Sequence, residues 1–296
     1  MIVGSSRRMR QIIVEVWKPL TVLFVWDVAV TAFHFMVPVK EPPLPLALFG
    51  TALVLFFGFR TNAAYARWWE ARTLWGALIN SSRSLTRITL SFTRWGSSSV
   101  DGLPESVILR QLALVHALRC QLRGQDPRED IVRVVGEDVA AEIEGRRNPA
   151  NALLETISVI YADALATGRI NLVQQSVVEQ VLIDIANAQG GMERIRNTPL
   201  PNGFRFFPNL FARLFCVLLP IALVESLGIA TPVGSTLIGL VFLAALSIGE
   251  DLMDPFANGV HDVTLSAMCR TIEIDLLQAL GRPAPEPLTP VQGVLW

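Results

Sequence analysis

The stretch from Leu44 to Arg72 most limits what this chain can fold into. Leu44 to Phe59 holds no charged residue. Then Gly58-Phe59-Arg60-Thr61-Asn62-Ala63-Ala64-Tyr65-Ala66-Arg67-Trp68-Trp69-Glu70-Ala71-Arg72 turns Arg-rich and aromatic with no Pro to interrupt it. An apolar run that becomes charged without a breaker predicts one helix leaving a bilayer and continuing into water. Trp68 and Trp69 suit an interface or a helix–helix seam, and Arg60, Arg67 and Arg72 suit the cytoplasmic side.

Composition agrees with a membrane setting. Hydrophobic residues are 51% of the 296 and charged residues 17%, against about a quarter charged in soluble domains. A net charge of -1 gives no ground for a nucleic-acid partner. Cys120, Cys216 and Cys269 are widely spaced, which argues against a disulfide framework and a thiolate metal site. His34, His116 and His261 are equally scattered. There is no Walker loop, GxSxG elbow, HExxH or dinucleotide-binding glycine pattern, so the reading is not an enzyme.

Four apolar segments stand out: Pro19 to Val37, Leu44 to Phe59, Phe206 to Leu227 and Pro232 to Ile248. A helix needs about 20 apolar residues to cross the hydrocarbon core. The second segment is short by that rule, but its helix continues past Phe59. Arg7, Arg8 and Arg10 before the first segment imitate a signal peptide. The stretch is too long for that and Asp27 interrupts it, so it reads as a retained span. Lys and Arg concentrate before the first span and between Arg60 and Arg205, whereas the turn holding Lys40 and Glu41 and the turn from Glu225 to Thr231 are poor in them. The positive-inside rule then puts both termini and the middle region in the cytoplasm of a multi-pass inner-membrane protein.

The expected fold is all-α. It comprises a cytoplasmic segment over 1–18, transmembrane helices 1 and 2 over 19–59 and a helical cytoplasmic domain over 60–205. Transmembrane helices 3 and 4 over 206–250, a cytoplasmic helix over 251–281 and a Pro-rich tail over 282–296 follow. In the middle region, Leu74, Leu78, Leu85 and Ile88 continue an apolar stripe that Gly96-Ser97-Ser98-Ser99 ends. Helices are expected over Pro104 to Leu122, Pro149 to Ala166 and Leu172 to Ala188, the last stopped by Gly190-Gly191. Asp126-Pro127 and Asn148-Pro149 are start signals. Val263 to Leu280 reads as an amphipathic helix.

Thr51, Leu55 and Phe59 share one helix face. That face is either a lipid or core stripe or the wall of an apolar constriction. Asp27, near the middle of the first span, must face protein or water; a functional and a hydrogen-bonded structural role both remain open. Asn197-Thr198-Pro199-Leu200-Pro201 forces an extended elbow. The acids of Glu250-Asp251-Leu252-Met253-Asp254-Pro255-Phe256 oppose a helix dipole and call for a cationic partner, with Arg67, Arg72 and Arg194 as candidates. A metal site there is the alternative.

These residues also carry a family resemblance. The run Gly58 to Gly76 (Gly58-Phe59-Arg60-Thr61-Asn62-Ala63, Tyr65, Arg67-Trp68, Glu70-Ala71-Arg72, Leu74-Trp75-Gly76) resembles the bestrophin signature in its prokaryotic form. Glu193-Arg194-Ile195 with Thr198-Pro199-Leu200-Pro201 is similar to the second family motif. Asp254-Pro255-Phe256 with Asn258 and Asp262, and Ala267-Met268-Cys269 with Thr271-Ile272-Glu273, resemble later ones. The resemblance implies a homopentameric channel in the lipid bilayer that passes small monovalent ions through a central pore. It places the neck on Thr51, Leu55 and Phe59 and a cytoplasmic aperture on Val173. Arg67, Glu70, Arg72, Asp254 and Asp262 become a structural or regulatory cluster.

Two departures matter. The calcium clasp of animal relatives is largely absent from Ala257-Asn258-Gly259-Val260-His261-Asp262, so no metal or other cofactor is expected. Thr51 stands where a bulkier apolar residue is usual, which implies a wetter outer end of the neck. Selectivity stays open between anions such as chloride and monovalent cations. Arg169 beside the neutral Asn171, Gln174 and Gln175 leans toward anions. A secondary transporter and a membrane-anchored sensor are the rival classes.

Overall fold

The computed structural model describes residues 6–37, 45–94, 102–291 and 293–295. Lys40, Glu41 and Gly96-Ser97-Ser98-Ser99 lie outside them. The elements in chain order are α1 (Ser6–Met36), α2 (Leu46–Arg94), α3 (Leu103–Arg123), α4 (Arg128–Glu142), α5 (Pro149–Ala166) and α6 (Leu172–Asn197). They are followed by α7 (Gly203–Leu227), a 3-10 turn (Gly228–Ala230), α8 (Thr231–Asp251) and α9 (Leu265–Ala279). Among the described residues there is no strand, only a bridge between Val291 and Val294. The uninterrupted helix expected from Leu44 onward is α2, 49 residues long.

The chain divides into two compact units, one of residues 2–68 and 199–255, the other of residues 69–198 and 256–296. The boundary falls inside α2, between Trp68 and Trp69. The first unit holds α1, the beginning of α2, α7 and α8, and its helices supply stretches long and apolar enough to cross a membrane. The run from Gly203 to Asp251 is folded back on itself by the 3-10 turn, so that α7 packs on α8. Leu53, Ala212, Phe215, Leu219 and Leu246 form its buried centre. At Gly239 a Cβ would meet Leu23 Cδ2 at 2.3 Å, so glycine is what lets α1 lie close on α8. Asp27 is fully buried there and accepts hydrogen bonds from Ser235 Oγ (3.1 Å) and Thr236 Oγ1 (2.8 Å). Of the two roles left open for it, this geometry describes the structural one: it ties α1 to α8 where an unpaired carboxylate would be costly.

The second unit is built around α3, which packs against α4, α5, α6 and α9. Every residue from Gln111 to Leu118 is buried, so this helix is covered on all sides. Gly124 in the left-handed region (φ 68°) ends it by returning its N–H to the carbonyls of Cys120 and Gln121. Asn148 caps α5 as expected, its Oδ1 accepting from Asn151 N–H at 3.0 Å. At α4 the signal is displaced by one residue. Pro127 is the cap and Asp126 Oδ1 accepts the Arg128 N–H at 3.0 Å. Glu193 Oε1 gathers Gln121 Nε2 (3.3 Å), Asn148 Nδ2 (2.9 Å) and Gln189 Nε2 (2.8 Å), joining α3, the start of α5 and α6 through one carboxylate.

Gly190-Gly191 does not end α6, which runs on to Asn197. A Cβ at Gly191 would stand 2.8 Å from Leu74 Cδ1 on α2. This glycine serves close helix packing rather than termination, and the extended elbow begins only at Thr198. Gly191→Val is therefore expected to overpack this contact and destabilise the unit by about 1–3 kcal/mol, read as a lowered thermal midpoint. An unchanged midpoint would contradict the contact.

Glu273 on α9 and His116 on α3 are both buried, with His116 Nε2 3.6 Å from Glu273 Oε2. Arg133 Nη1 donates to Glu273 Oε1 at 2.8 Å, and Arg270 Nε lies 3.3 Å from Oε2. Burial alone would push the Glu273 carboxyl up. The close approach of His116 and the hydrogen bond and charge of Arg133 outweigh it and hold the group at about 2, against its ordinary 4.5. Because the folded value is the lower, this stabilisation is complete above about pH 4.5 and fades as pH falls toward about 2. Glu273→Gln is expected to cost about 3–5 kcal/mol at neutral pH and to flatten that acid-side loss. Thermal unfolding of both proteins between pH 2 and 7 reads both effects, and equal midpoints at pH 7 would refute the assignment.

Candidate conduction path

α2 is packed on one side only. Leu53, Phe57, Arg60 and Ala64 recur at intervals of four, three and four, and all but the half-buried Phe57 are buried. With 3.6 residues per turn, Thr51, Leu55 and Phe59 lie on the opposite side of the helix. All three are exposed, Leu55 at 60% and Phe59 at 62%. The face that periodicity selects is thus part of the surface the chain leaves uncovered, with Val54 and Phe56 exposed beside it. Thr51 turns its hydroxyl back to Ala47 O at 2.8 Å, so its donor is satisfied within the helix. The residues rise about 6 Å apart along the axis.

Below Phe59, Arg60 turns inward at 2% exposure and lies 3.6 Å from Glu250 Oε1. Asn209 Nδ2 donates to the same oxygen at 2.6 Å, and Arg205 Nε lies 3.9 Å from it. A carboxylate at the end of α8 is thereby held by groups from α2 and α7. For Glu250 this corrects the expected partner, which is Arg60 with Arg205 rather than Arg67, Arg72 or Arg194. Gly249, whose Cβ would fall 3.7 Å from Thr61 Oγ1 and 3.8 Å from Arg60 Cζ, sets the α8 backbone beside that arginine. Arg60 and Glu250 both carry a sequence signal as charges flanking apolar runs. Asn209 carries none.

Glu70 pairs with Arg194 from α6, in the second unit. Asp262 is 4% exposed and accepts the Gly259 N–H at 2.6 Å through Oδ2, closing its own loop. Arg67 is half-buried, Arg72 exposed and Asp254 half-buried. Among the described residues no group of three or more His, Cys, Asp or Glu side chains has the geometry to hold a metal ion.

Val173 lies in the first turn of α6 and is 73% exposed, beside Leu172 at 74%. Asn171 and Gln174 form a reciprocal capping box, each side chain bonding the other's backbone at 2.9 Å. The cap holds the backbone firmly while presenting two aliphatic side chains outward.

Thiol and phenol chemistry is suppressed in the second unit. Burial pushes the Cys269 thiol up to about 12, and Tyr161, bonded to Thr89 Oγ1 at 2.6 Å, is also raised to about 12 by burial. Cys120 is raised as well, mainly by burial.

Comparison with known proteins fits this arrangement. The Bacterial/Fungal Bestrophin protein family matches residues 5–278. A voltage-dependent anion channel-forming protein of Mesorhizobium japonicum is 34% identical over 82% of this chain and 77% of its own length. The voltage-dependent anion channel-forming protein YneE of Salmonella typhi is 34% identical over 89% of this chain and 86% of its own. The crystal structure of a bacterial bestrophin homolog from Klebsiella pneumoniae superposes with a TM-score of 0.84 at 30% identity, covering 89% of this chain and 98% of that one. Matching both in sequence and in fold over nearly its whole length, this chain belongs to the bacterial and fungal bestrophin family.

Proposed function

We propose that the chain is one subunit of a homopentameric anion channel of the cell membrane. Five copies of α2 surround the axis, with Thr51, Leu55 and Phe59 as the neck and Val173 as the cytoplasmic aperture. The observation that carries this reading is the one-sided packing of α2. Its 53/57/60/64 stripe is used inside the subunit, and the opposite apolar face is left for a conduit. The relatives named as anion channel-forming proteins support the sign of the ion.

Transport is passive and needs no chemistry from the protein. Leu55 and Phe59 form an apolar constriction that a partly dehydrated ion crosses and that closes by losing its water. Thr51 offers a small hydroxyl at the outer end and eases wetting there. At the other end, each α6 begins at the aperture, and a helix N-terminus carries roughly half a positive charge. Five such termini, with Arg169 two residues before each cap, favour an anion over a cation in the cytoplasmic passage. Arg67, Glu70 and Arg72 fix helices rather than touch ions. Opening without calcium is part of the proposal, because the carboxylate that loop 257–262 retains, Asp262, is already engaged with Gly259.

Recording from purified protein in planar bilayers under a chloride-salt gradient tests this directly. The reversal potential is expected near that of chloride, and one near the cation's would overturn the anion assignment. Thr51→Ile is expected to lower unitary conductance several-fold while leaving the reversal potential in place, since it removes a hydroxyl but adds no charge. Undiminished conductance in Thr51→Ile would remove Thr51 from the neck.

A further inference from the structure

An open groove of about 590 Å³ runs along one side of α7, in the membrane-spanning unit. None of Thr51, Leu55 or Phe59 lines it, and among the described residues no carboxylate does. Arg205 stands near one end and Arg213 at the other, eight residues and about 12 Å further along the helix axis. Phe206 and Leu210 are exposed between them.

The two arginines carry more positive charge than the chain neutralises. Arg205 Nε lies 3.9 Å from Glu250 Oε1, outside hydrogen-bond distance, and its side chain is 72% exposed. Arg60 approaches the same oxygen at 3.6 Å and Asn209 Nδ2 donates to it at 2.6 Å, so Glu250 balances one of the two arginines it faces. Asp251, the next acid on α8, has interactions of its own and does not line this groove. Arg213 is exposed between Phe211 and Leu214, ten residues beyond the start of a helix in the membrane-spanning unit. No carboxylate pairs with it among the described residues. A guanidinium set in that apolar surface needs an anion or water from outside the chain. Side chains on a helix tilt toward its N-terminus, so Arg213 reaches back toward the level of Asn209 and Arg205.

We propose that this face of α7 binds a cardiolipin, a phospholipid whose two phosphodiesters are joined through one glycerol. One phosphodiester lies on Arg213 and the other on Arg205, each matched to the planar guanidinium fork. Acyl chains run on toward the bilayer interior along Leu210, Leu214 and Val217, all exposed on α7. Charge complementarity selects the headgroup, as at other basic pockets on the cytoplasmic side of membrane helices. A lipid with one phosphate answers one arginine and leaves the other, and a zwitterionic lipid brings an ammonium to a groove that no acid lines. The site rests on the membrane placement of the proposed function, with the start of α7 on the cytoplasmic side.

The test mixes the purified full chain in detergent with cardiolipin, phosphatidylglycerol and phosphatidylethanolamine at equal phosphate. Native mass spectrometry then counts each lipid retained per chain. Wild type is expected to hold cardiolipin about tenfold over either of the others, and Arg213→Gln to lower its retention about tenfold. Arg213→Lys should keep part of it. Arg87→Gln removes an exposed arginine of the second unit and should change nothing, which separates the site from general attraction between charges. Equal retention of cardiolipin and phosphatidylglycerol by wild type, or undiminished cardiolipin in Arg213→Gln, would overturn the site. Failure of a bulky maleimide to label Phe206→Cys in the lipid-free assembly would overturn it too, by showing that a second copy covers this face. Currents from the same preparation report separately on conduction, so loss of the lipid site leaves the channel reading standing.

Discussion

The decisive constraint is that α2 has two apolar faces and a single chain can bury only one. Leu53, Phe57, Arg60 and Ala64 turn toward the rest of the chain and leave Leu55 and Phe59 more than half exposed on the far side. An apolar helix face inside a bilayer can tolerate lipid, so exposure alone does not define a conduit. The continuation of the same helix into a unit with its own buried core does more. Beyond Trp69, Trp75, Leu78 and Leu85 are fully buried in the second unit, while the 53/57/60/64 stripe packs within the first.

The polar groups of the membrane-spanning unit follow a common rule. The buried charges are held by partners from other helices: Asp27 by two hydroxyls of α8, and Arg60 of α2 by the half-buried Glu250 of α8, which Asn209 and Arg205 of α7 also engage. In low dielectric such pairs are weak sources of net stability, but breaking one is costly, so they fix which helix lies where. The second unit repeats the device with Glu193 and Glu273. Both fall in stretches that resemble family motifs, and both act by joining helices. Motif membership here marks architecture as much as conduction.

Much of this was legible in the sequence. The continuous α2 followed from the absence of a breaker, and the α5 boundary from Asn148-Pro149, because these signals are local. What escaped depended on distant partners. Gly190-Gly191 looks like a helix stop, since a glycine's need for space is visible only when Leu74 is seen across from Gly191. Glu250 at the end of α8 announces a need for a cation, but only the register of α8 on α2, set beside Gly249, shows that Arg60 answers it. Asp27 was ambiguous for the same reason: Ser235 and Thr236 carry no signal in the sequence and become partners of the carboxylate only after folding. The face of Thr51, Leu55 and Phe59 was readable as a stripe, while its separation from the packed stripe needed the fold.

The most direct test of the account is aqueous access to the 51/55/59 face while current is recorded. Leu55→Cys on a background lacking Cys120, Cys216 and Cys269 should react with a charged, membrane-impermeant thiosulfonate and change the current at once. Val54→Cys, exposed but off that face, should stay silent. If the reagent leaves the Leu55→Cys current untouched, or acts equally on both positions, α2 does not line the path and the account is contradicted.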